Sequence, residues 1–324
     1  METPICSPLN PVPTQDPAAY PTQLSLPDRP EPFVLAGVRV DRMNRAETLD
    51  WLRAALAERH RAKLQREQEP QAKADRRAAE SEGLESKTPS AKRTAAHEPA
   101  AAAPPLVVVG PNAHIVTQAQ RVTTLLWALA QADLAIADGI SLVMASRLLG
   151  KPIPERITGG ELMESLCALA AQEGYSVYFL GGLPGAAEGA ARELSARYPG
   201  LRVVGTECPQ TSFTAHLVAS ARVVEHICEA QPDLLFVALG VPKQERWIME
   251  NVKHLPVLLA MSVGAALDTQ SGLRKRAPLW THRIGMEWAY RMIREPRRLG
   301  RRYLVGNSRF VRLTWQAWRA QKKK

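Results

Sequence analysis

After Pro105 the chain settles into short, wholly apolar runs separated by amphipathic stretches, and this alternation limits the fold more than any other feature. Residues 106–109, 134–137, 176–180, 201–204, 234–239 and 257–263 read as strands. Residues 116–130, 140–149, 159–172, 185–198, 215–230 and 243–252 carry apolar side chains at helical spacing. A strand that is apolar at every position must be covered on both faces, and helical connections supply the cover while returning each strand parallel to the last. The pattern predicts an α/β, Rossmann-like fold: a largely parallel sheet with helices on both faces. Ligands of such sheets bind beyond the carboxyl ends of the strands, so the residues just after each strand are the candidates for function.

Those residues are polar or glycine. Gly110-Pro111-Asn112-Ala113-His114 follows the first of these strands, Asp138-Gly139 the next, then Gly181-Gly182-Leu183-Pro184-Gly185, Gly240-Val241-Pro242-Lys243-Gln244-Glu245 and Gly264-Ala265-Ala266-Leu267-Asp268. Asp138 is the candidate general base, because a carboxylate at a strand end before a glycine meets a substrate where the backbone can turn sharply. It is equally placed to cap the helix expected from Ile140. Asn112 can bond a sugar or nucleobase, or serve as a turn residue. Arg156, ahead of Gly159-Gly160 and a helix start, suits an anionic group near unpaired N–H groups; the plainer reading is a cap by Thr158 beside a surface arginine. Gly181 and Gly182 read as a phosphate-cradling turn or as connectors, and they lack the GxGxxG spacing and following acidic residue of a dinucleotide site. Lys243 and Gln244 open a helix whose dipole accounts for Glu245 in its first turn but less easily for Gln244, and Asp268 reads as a cap of its own. No group of His, Cys, Asp and Glu has metal-ligand spacing, and no cofactor is expected. The four cysteines, Cys6, Cys167, Cys208 and Cys228, read as free thiols.

Outside this body the composition changes. Residues 1–32 are rich in proline, lack the basic start and apolar run of a secretory signal, and read as a disordered leader. Residues 33–60 offer a strand over 33–40 and a helix over 45–60, the first strand and helix of the core. Residues 61–104 are mostly Ala, Lys, Arg, Glu and Gln and read as a disordered or partly helical insertion; 105–273 form the core. Residues 274–324 carry sixteen Lys and Arg against Glu287 and Glu295, a net +14 on a chain of +10, interleaved with Trp280, Trp288, Trp315 and Trp318. The basic character therefore belongs to one helical C-terminal appendage. Such a surface suits anionic headgroups over an apolar layer, or the phosphates of a ligand. With no run of eighteen apolar residues, contact with a membrane would be peripheral.

An ordered set of motifs carries a resemblance. It comprises Pro111-Asn112-Ala113, Ala137-Asp138-Gly139, Arg156-Ile-Thr-Gly159, Phe179-Leu-Gly-Gly182, Pro199-Gly200-Leu201, Pro232-Asp233-Leu, Gly240-Val-Pro-Lys-Gln-Glu245, Arg276-Ala-Pro278, Glu287-Trp288 and Arg294-Glu-Pro-Arg-Arg298. From about Leu106 to Phe310 the chain resembles the bacterial WecG/TagA/CpsF glycosyltransferases of family 26. That resemblance implies a cytoplasmic enzyme, peripheral on the inner face of the plasma membrane, working in cell-envelope polysaccharide assembly. It implies metal-independent, inverting transfer of a hexosyl or N-acetylhexosaminyl group, such as N-acetylmannosaminyl, from a UDP-sugar to a polyprenyl-diphosphate-linked sugar. The aspartate matching Asp138 would deprotonate the acceptor hydroxyl. Residues matching Asn112, Arg156 and Gln244 would line the donor pocket, with Gly181, Gly182 and Lys243 as further substrate contacts. The appendage would dock on the anionic membrane and supply arginines for the acceptor diphosphate, here Arg291, Arg294, Arg297, Arg298, Arg301 and Arg302.

The chain departs from that family at Gly110, where threonine is usual, and at Glu161 and Leu267, where aspartate and phenylalanine are common; the insertion over 61–104 is also unusual. Some relatives build exopolysaccharide with hexoses such as glucose, so the departures bear on the donor sugar. A competing class is a non-enzymatic protein whose basic, Trp-rich tail holds membrane or nucleic acid. The body argues against it, since a simple binder gives no reason for Asp138, Asn112, Arg156 and Gln244 to share one rim, and no nucleic-acid partner is expected. The tail aromatics would also serve to pack helices onto the body or a second subunit, so a homo-oligomer is compatible with the sequence.

Overall fold

The computed structural model describes residues 28–82, 104–209, 217–275 and 296–323. Its centre is a six-stranded sheet of β3 (Leu106–Val109), β4 (Leu134–Ala135), β5 (Ser176–Gly181), β6 (Arg202–Glu207), β7 (Leu234–Ala238) and β8 (Leu259–Ser262). The order is β4-β3-β8-β7-β5-β6, every neighbouring pair parallel. This is the Rossmann-like α/β architecture that the alternating apolar runs predict. Side chains alternate between two cores. Val107, Val109, Tyr178, Leu180, Leu235 and Val237 face one, and Leu106, Val108, Val177, Phe179, Leu234 and Phe236 face the other.

Helices fill both faces. α1 (Arg45–Glu82), α5 (Gly159–Glu173), α6 (Ala186–Arg197) and α9 (Ala266–Gln270) cover the second core, where Phe179 and Phe236 stack at 5.8 Å. α2 (Ala113–Ala119), α3 (Thr123–Gln131), α4 (Ile140–Leu148), α7 (Leu217–Ala230) and α8 (Lys243–Asn251) cover the first. The C-terminal helix, α10 (Pro296–Gln321), lies on α2; its Phe310 is buried in the first core and Gln321 Nε2 donates to Leu149 O at 3.3 Å.

Local details differ from the sequence reading. Residues 33–40 form a two-stranded antiparallel hairpin, β1 (Phe33–Leu35) and β2 (Val38–Val40), because Ala36 and Gly37 both take positive φ and reverse the chain. The single helix expected over 116–130 is two, broken at Gln120–Val122. α1 runs well past His60 to Glu82, through residues that are mostly strong helix formers apart from Pro70. Its Lys63 forms an ion pair with Asp233 at 3.0 Å, and His60 meets Tyr175 edge-on. Among the described residues Cys167 and Cys208 are free thiols, as the sequence reads them, and Cys6 lies outside the described residues.

The amino ends of the strands are stitched by two aspartates. Asp233 Oδ2 accepts from both the backbone N and the Oγ of Ser176 at 2.9 Å, and Asp133 Oδ2 accepts from Val107 N at 2.8 Å. At the carboxyl ends of β3 and β4 the strand order leaves a crevice. From β3 the chain moves outward to β4, while β8 on its other side arrives from β7. A crevice where strand order reverses is the usual ligand site of an open parallel sheet.

Candidate active site

Asp138 is held by backbone on both sides. Its N–H donates to Pro111 O at 3.0 Å, tying the end of β4 to the turn after β3, and Ile157 N donates to Ala137 O at 3.0 Å. Asp138 Oδ1 accepts from Gly159 N at 3.3 Å, so the carboxylate faces the first turn of α5, where the helix dipole favours negative charge. It does not cap α4: Gly139 occupies that position with no side-chain bond. The capping alternative is thereby set aside, and the carboxylate stands half-buried at the crevice. Asn112 sits beside it. A Cβ on Gly139 would lie 3.1 Å from Asn112 Cβ, and one on Gly110 would lie 3.3 Å from Asp138 Cβ. Asn112 is the N-cap of α2, its Oδ1 accepting from His114 N and Ile115 N at 3.1 Å each. Its amide oxygen is therefore committed to the helix, and His114 contributes a backbone donor.

Gln244 lies across the crevice in a different role from the one its exposed-looking motif suggests. It is buried, and its Oε1 accepts from Gly240 N at 3.1 Å and Gly264 N at 3.2 Å, pinning together the turns that follow β7 and β8. Its Nε2 donates to Glu245 Oε1 at 2.7 Å. Glu245 is almost wholly buried, and that burial pushes its carboxyl above the ordinary value of 4.5. Its Oε2 and the Ser262 hydroxyl make no hydrogen bond of normal geometry. Gly240 and Gly264 take positive φ, and a Cβ on either would point into open space. Lys243 is exposed at the first position of α8.

Gly181 and Gly182 also take positive φ, and a Cβ on Gly181 would lie 2.6 Å from Ala238 O. These glycines allow β5 to turn against β7. The N–H of Gly182 donates to Ala238 O at 2.9 Å and that of Leu183 to Asp268 Oδ1 at 2.8 Å, so neither is an open phosphate donor. Asp268 also pairs with Arg274 through Oδ2 at 3.1 Å, joining the β5 turn to the start of the basic segment. The sequence offered only a cap for Asp268.

Arg156 is half-buried two residues before Thr158, which caps α5 in a reciprocal box with Glu161. Glu161 also pairs with Arg45 at 3.2 Å, and Leu267 is fully buried in the second core. Of the three departures noted in the sequence, two are thus structural, and only Gly110 borders the Asp138 carboxylate. Of the candidate diphosphate arginines, Arg291 and Arg294 lie outside the described residues. Arg297, Arg298, Arg301 and Arg302 are on the first turns of α10.

A separate groove of about 480 Å³ is lined by Tyr178, Thr206, Glu207 and His226 among others. There Tyr178 Oη donates to Glu207 Oε2 at 3.0 Å, and burial raises the Tyr178 hydroxyl pKa. It borders β6, five strand spacings of roughly 4.8 Å from Asp138, too far to share one small substrate with it. Among the described residues no group of three or more His, Cys, Asp and Glu could hold a metal ion, and no helix is long and apolar enough to cross a membrane.

Comparison with known proteins gives the family. The model of the glycosyl transferase WecG/TagA/CpsF family matches residues 87–324. The chain is 34% identical over 200 residues to the N-acetylglucosaminyldiphosphoundecaprenol N-acetyl-beta-D-mannosaminyltransferase of Staphylococcus aureus strain MW2, spanning 60% of this chain and 75% of that protein. The proteins of the same name from strains NCTC 8325 / PS 47 and COL match at the same identity over the same shares.

Proposed function

Since the chain belongs to the WecG/TagA/CpsF glycosyltransferase family, we propose that it moves a hexosyl or N-acetylhexosaminyl group, N-acetylmannosaminyl-like, from a UDP-sugar to a polyprenyl-diphosphate-linked sugar. The relatives' names give the acceptor class, a diphosphoundecaprenol-linked sugar, and the transferred group. The observation that carries the reading is the Asp138 carboxylate at the end of β4, anchored by backbone and bordered by the side-chain-free Gly110 and Gly139.

In this mechanism the acceptor hydroxyl attacks the anomeric carbon as its proton passes to Asp138. The new glycosidic bond forms while the bond to the UDP oxygen breaks, UDP leaves with the electron pair, and a single displacement inverts the centre. Asn112 and Arg156 flank the donor on the Asp138 side. Gln244 acts through the turns it holds, and Lys243, at the first turn of α8, offers positive charge to the leaving diphosphate. Arg291, Arg294, Arg297, Arg298, Arg301 and Arg302 would meet the acceptor diphosphate, and no metal enters the reaction. The enzyme would work at the inner face of the plasma membrane, its tail against anionic lipid, in surface-polysaccharide assembly. The segments 1–32 and 61–104 would be dispensable for chemistry, and 33–60 with 105–273 and the tail 274–324 would suffice for it.

Support for a membrane-facing tail comes from the outer side of α10, where Val311 and Trp315 are exposed and Arg319 stacks over Trp315 at 4.1 Å. The test is release of UDP from UDP-N-acetylmannosamine or UDP-glucose, with and without a polyprenyl-diphosphate-sugar acceptor, in excess chelator. Acceptor-dependent release with one donor supports the reading. Release that requires added metal, or none with any UDP-sugar, refutes it.

A further inference from the structure

α4 starts two residues after Asp138 and has an apolar outer face. Its inner side chains, Leu142, Val143 and Ala145, are buried in the first core. On the opposite side Met144 is 64% and Leu148 57% exposed, in register with the half-buried Ile140 at i, i+4 and i+8. A single exposed apolar residue is ordinary on a protein surface. Two on successive turns, in a helix that already buries a full apolar face, leave a stripe that is unpartnered among the described residues and runs about 15 Å from the catalytic carboxylate.

We propose that this stripe of α4 inserts into the boundary between headgroups and acyl chains of an anionic bilayer, as a second lipid contact distinct from the tail. The inference rests on the lipid-linked acceptor proposed above, because a sugar delivered to Asp138 on a lipid brings the membrane to this side of the crevice. Charge selects the occupant. Arg147 is exposed between Met144 and Leu148, and the C-terminal end of α10, which carries the exposed Arg319, Lys322 and Lys323, reaches α4 through the Gln321 bond to Leu149 O. Apolar side chains ringed by cations complement anionic headgroups over an acyl layer. A second copy of the chain would set these cations against one another.

The test uses the full chain with Met144→Gln/Leu148→Gln, a neutral change outside the catalytic residues, and Val218→Gln on α7 as an exposed-residue control. Binding is measured by sedimentation with phosphatidylglycerol–phosphatidylethanolamine vesicles. Transfer is measured to a long-chain acceptor in the same vesicles and to a short, water-soluble one. From the apolar area involved, vesicle partitioning should fall about tenfold or more in the double variant, with vesicle-held transfer falling in parallel, while transfer to the soluble acceptor and the control are unchanged. Unchanged partitioning overturns the proposal. So does a dimer that the variant converts to monomer without loss of vesicle binding. If the wild type transfers to neither acceptor, the functional reading fails, and the vesicle result alone still decides the role of α4.

Discussion

Replacing Gln244 with alanine should destabilise the protein by about 2–4 kcal/mol, because three hydrogen bonds converge on one buried amide. Two backbone donors, Gly240 N and Gly264 N, lose their acceptor, and a partly buried donor left unsatisfied costs roughly 1–3 kcal/mol. Water entering the shortened site offsets part of this, since both glycines border open space. The loss of the bond to Glu245 Oε1 adds to it, in a pocket whose carboxyl already has an unpartnered oxygen. Urea unfolding at neutral pH measures the effect as a lower midpoint at unchanged slope. Activity should fall with it, because the turns after β7 and β8 then move independently. A variant with wild-type stability and a raised KM alone would refute the pinning argument and return Gln244 to the role of a direct donor contact.

Other expectations follow from single residues. Burial raises the Glu245 carboxyl above its ordinary 4.5, so the native state holds its proton to a higher pH than the unfolded chain does. The contribution is present below that pH and is lost as pH rises toward the folded value. Glu245→Gln should therefore flatten the pH dependence of stability above about pH 4.5 and be no less stable than wild type at pH 7; a steeper profile contradicts this. Gly181→Ala should cost about 3 kcal/mol or more, combining a positive φ with a Cβ 2.6 Å from Ala238 O, as read by thermal unfolding. Gly240→Ala, with a similar φ and open space, should cost about 1 kcal/mol by the same measurement. Val311→Gln/Trp315→Gln should weaken vesicle binding without loss of stability. Deleting the tail would not be equivalent, because it uncovers the core contact of Phe310.

The sheet was legible because each of its strands except the edge strand β6 is apolar on both faces, a pattern that local sequence carries in full. The rim was legible for the same reason: polar and glycine residues after such strands are conspicuous. The hairpin at Phe33–Val40 was missed because only Gly37 marks it, and the split of α2 from α3 because Gln120 and Arg121 break no helical rule. What Gln244 and Asp268 do was not legible at all. Their partners, Gly264, Leu183 and Arg274, are brought to them by tertiary structure, whereas the dipole and capping explanations for Glu245 and Asp268 are local. Asp138 shows the converse: sequence left two uses open, and Gly139 at the cap position of α4 bears on the capping use alone.

The central claim is that Asp138 takes the acceptor proton. Its most direct test is the rate of UDP release by Asp138→Asn against wild type, with saturating donor and acceptor, the variant's urea midpoint confirming its fold. Asparagine keeps the size and the acceptor atom facing Gly159 N but cannot accept the proton, so kcat should fall about 10²–10⁴-fold with little change in KM. A folded Asp138→Asn enzyme with near wild-type kcat would contradict the account and assign the base to another residue.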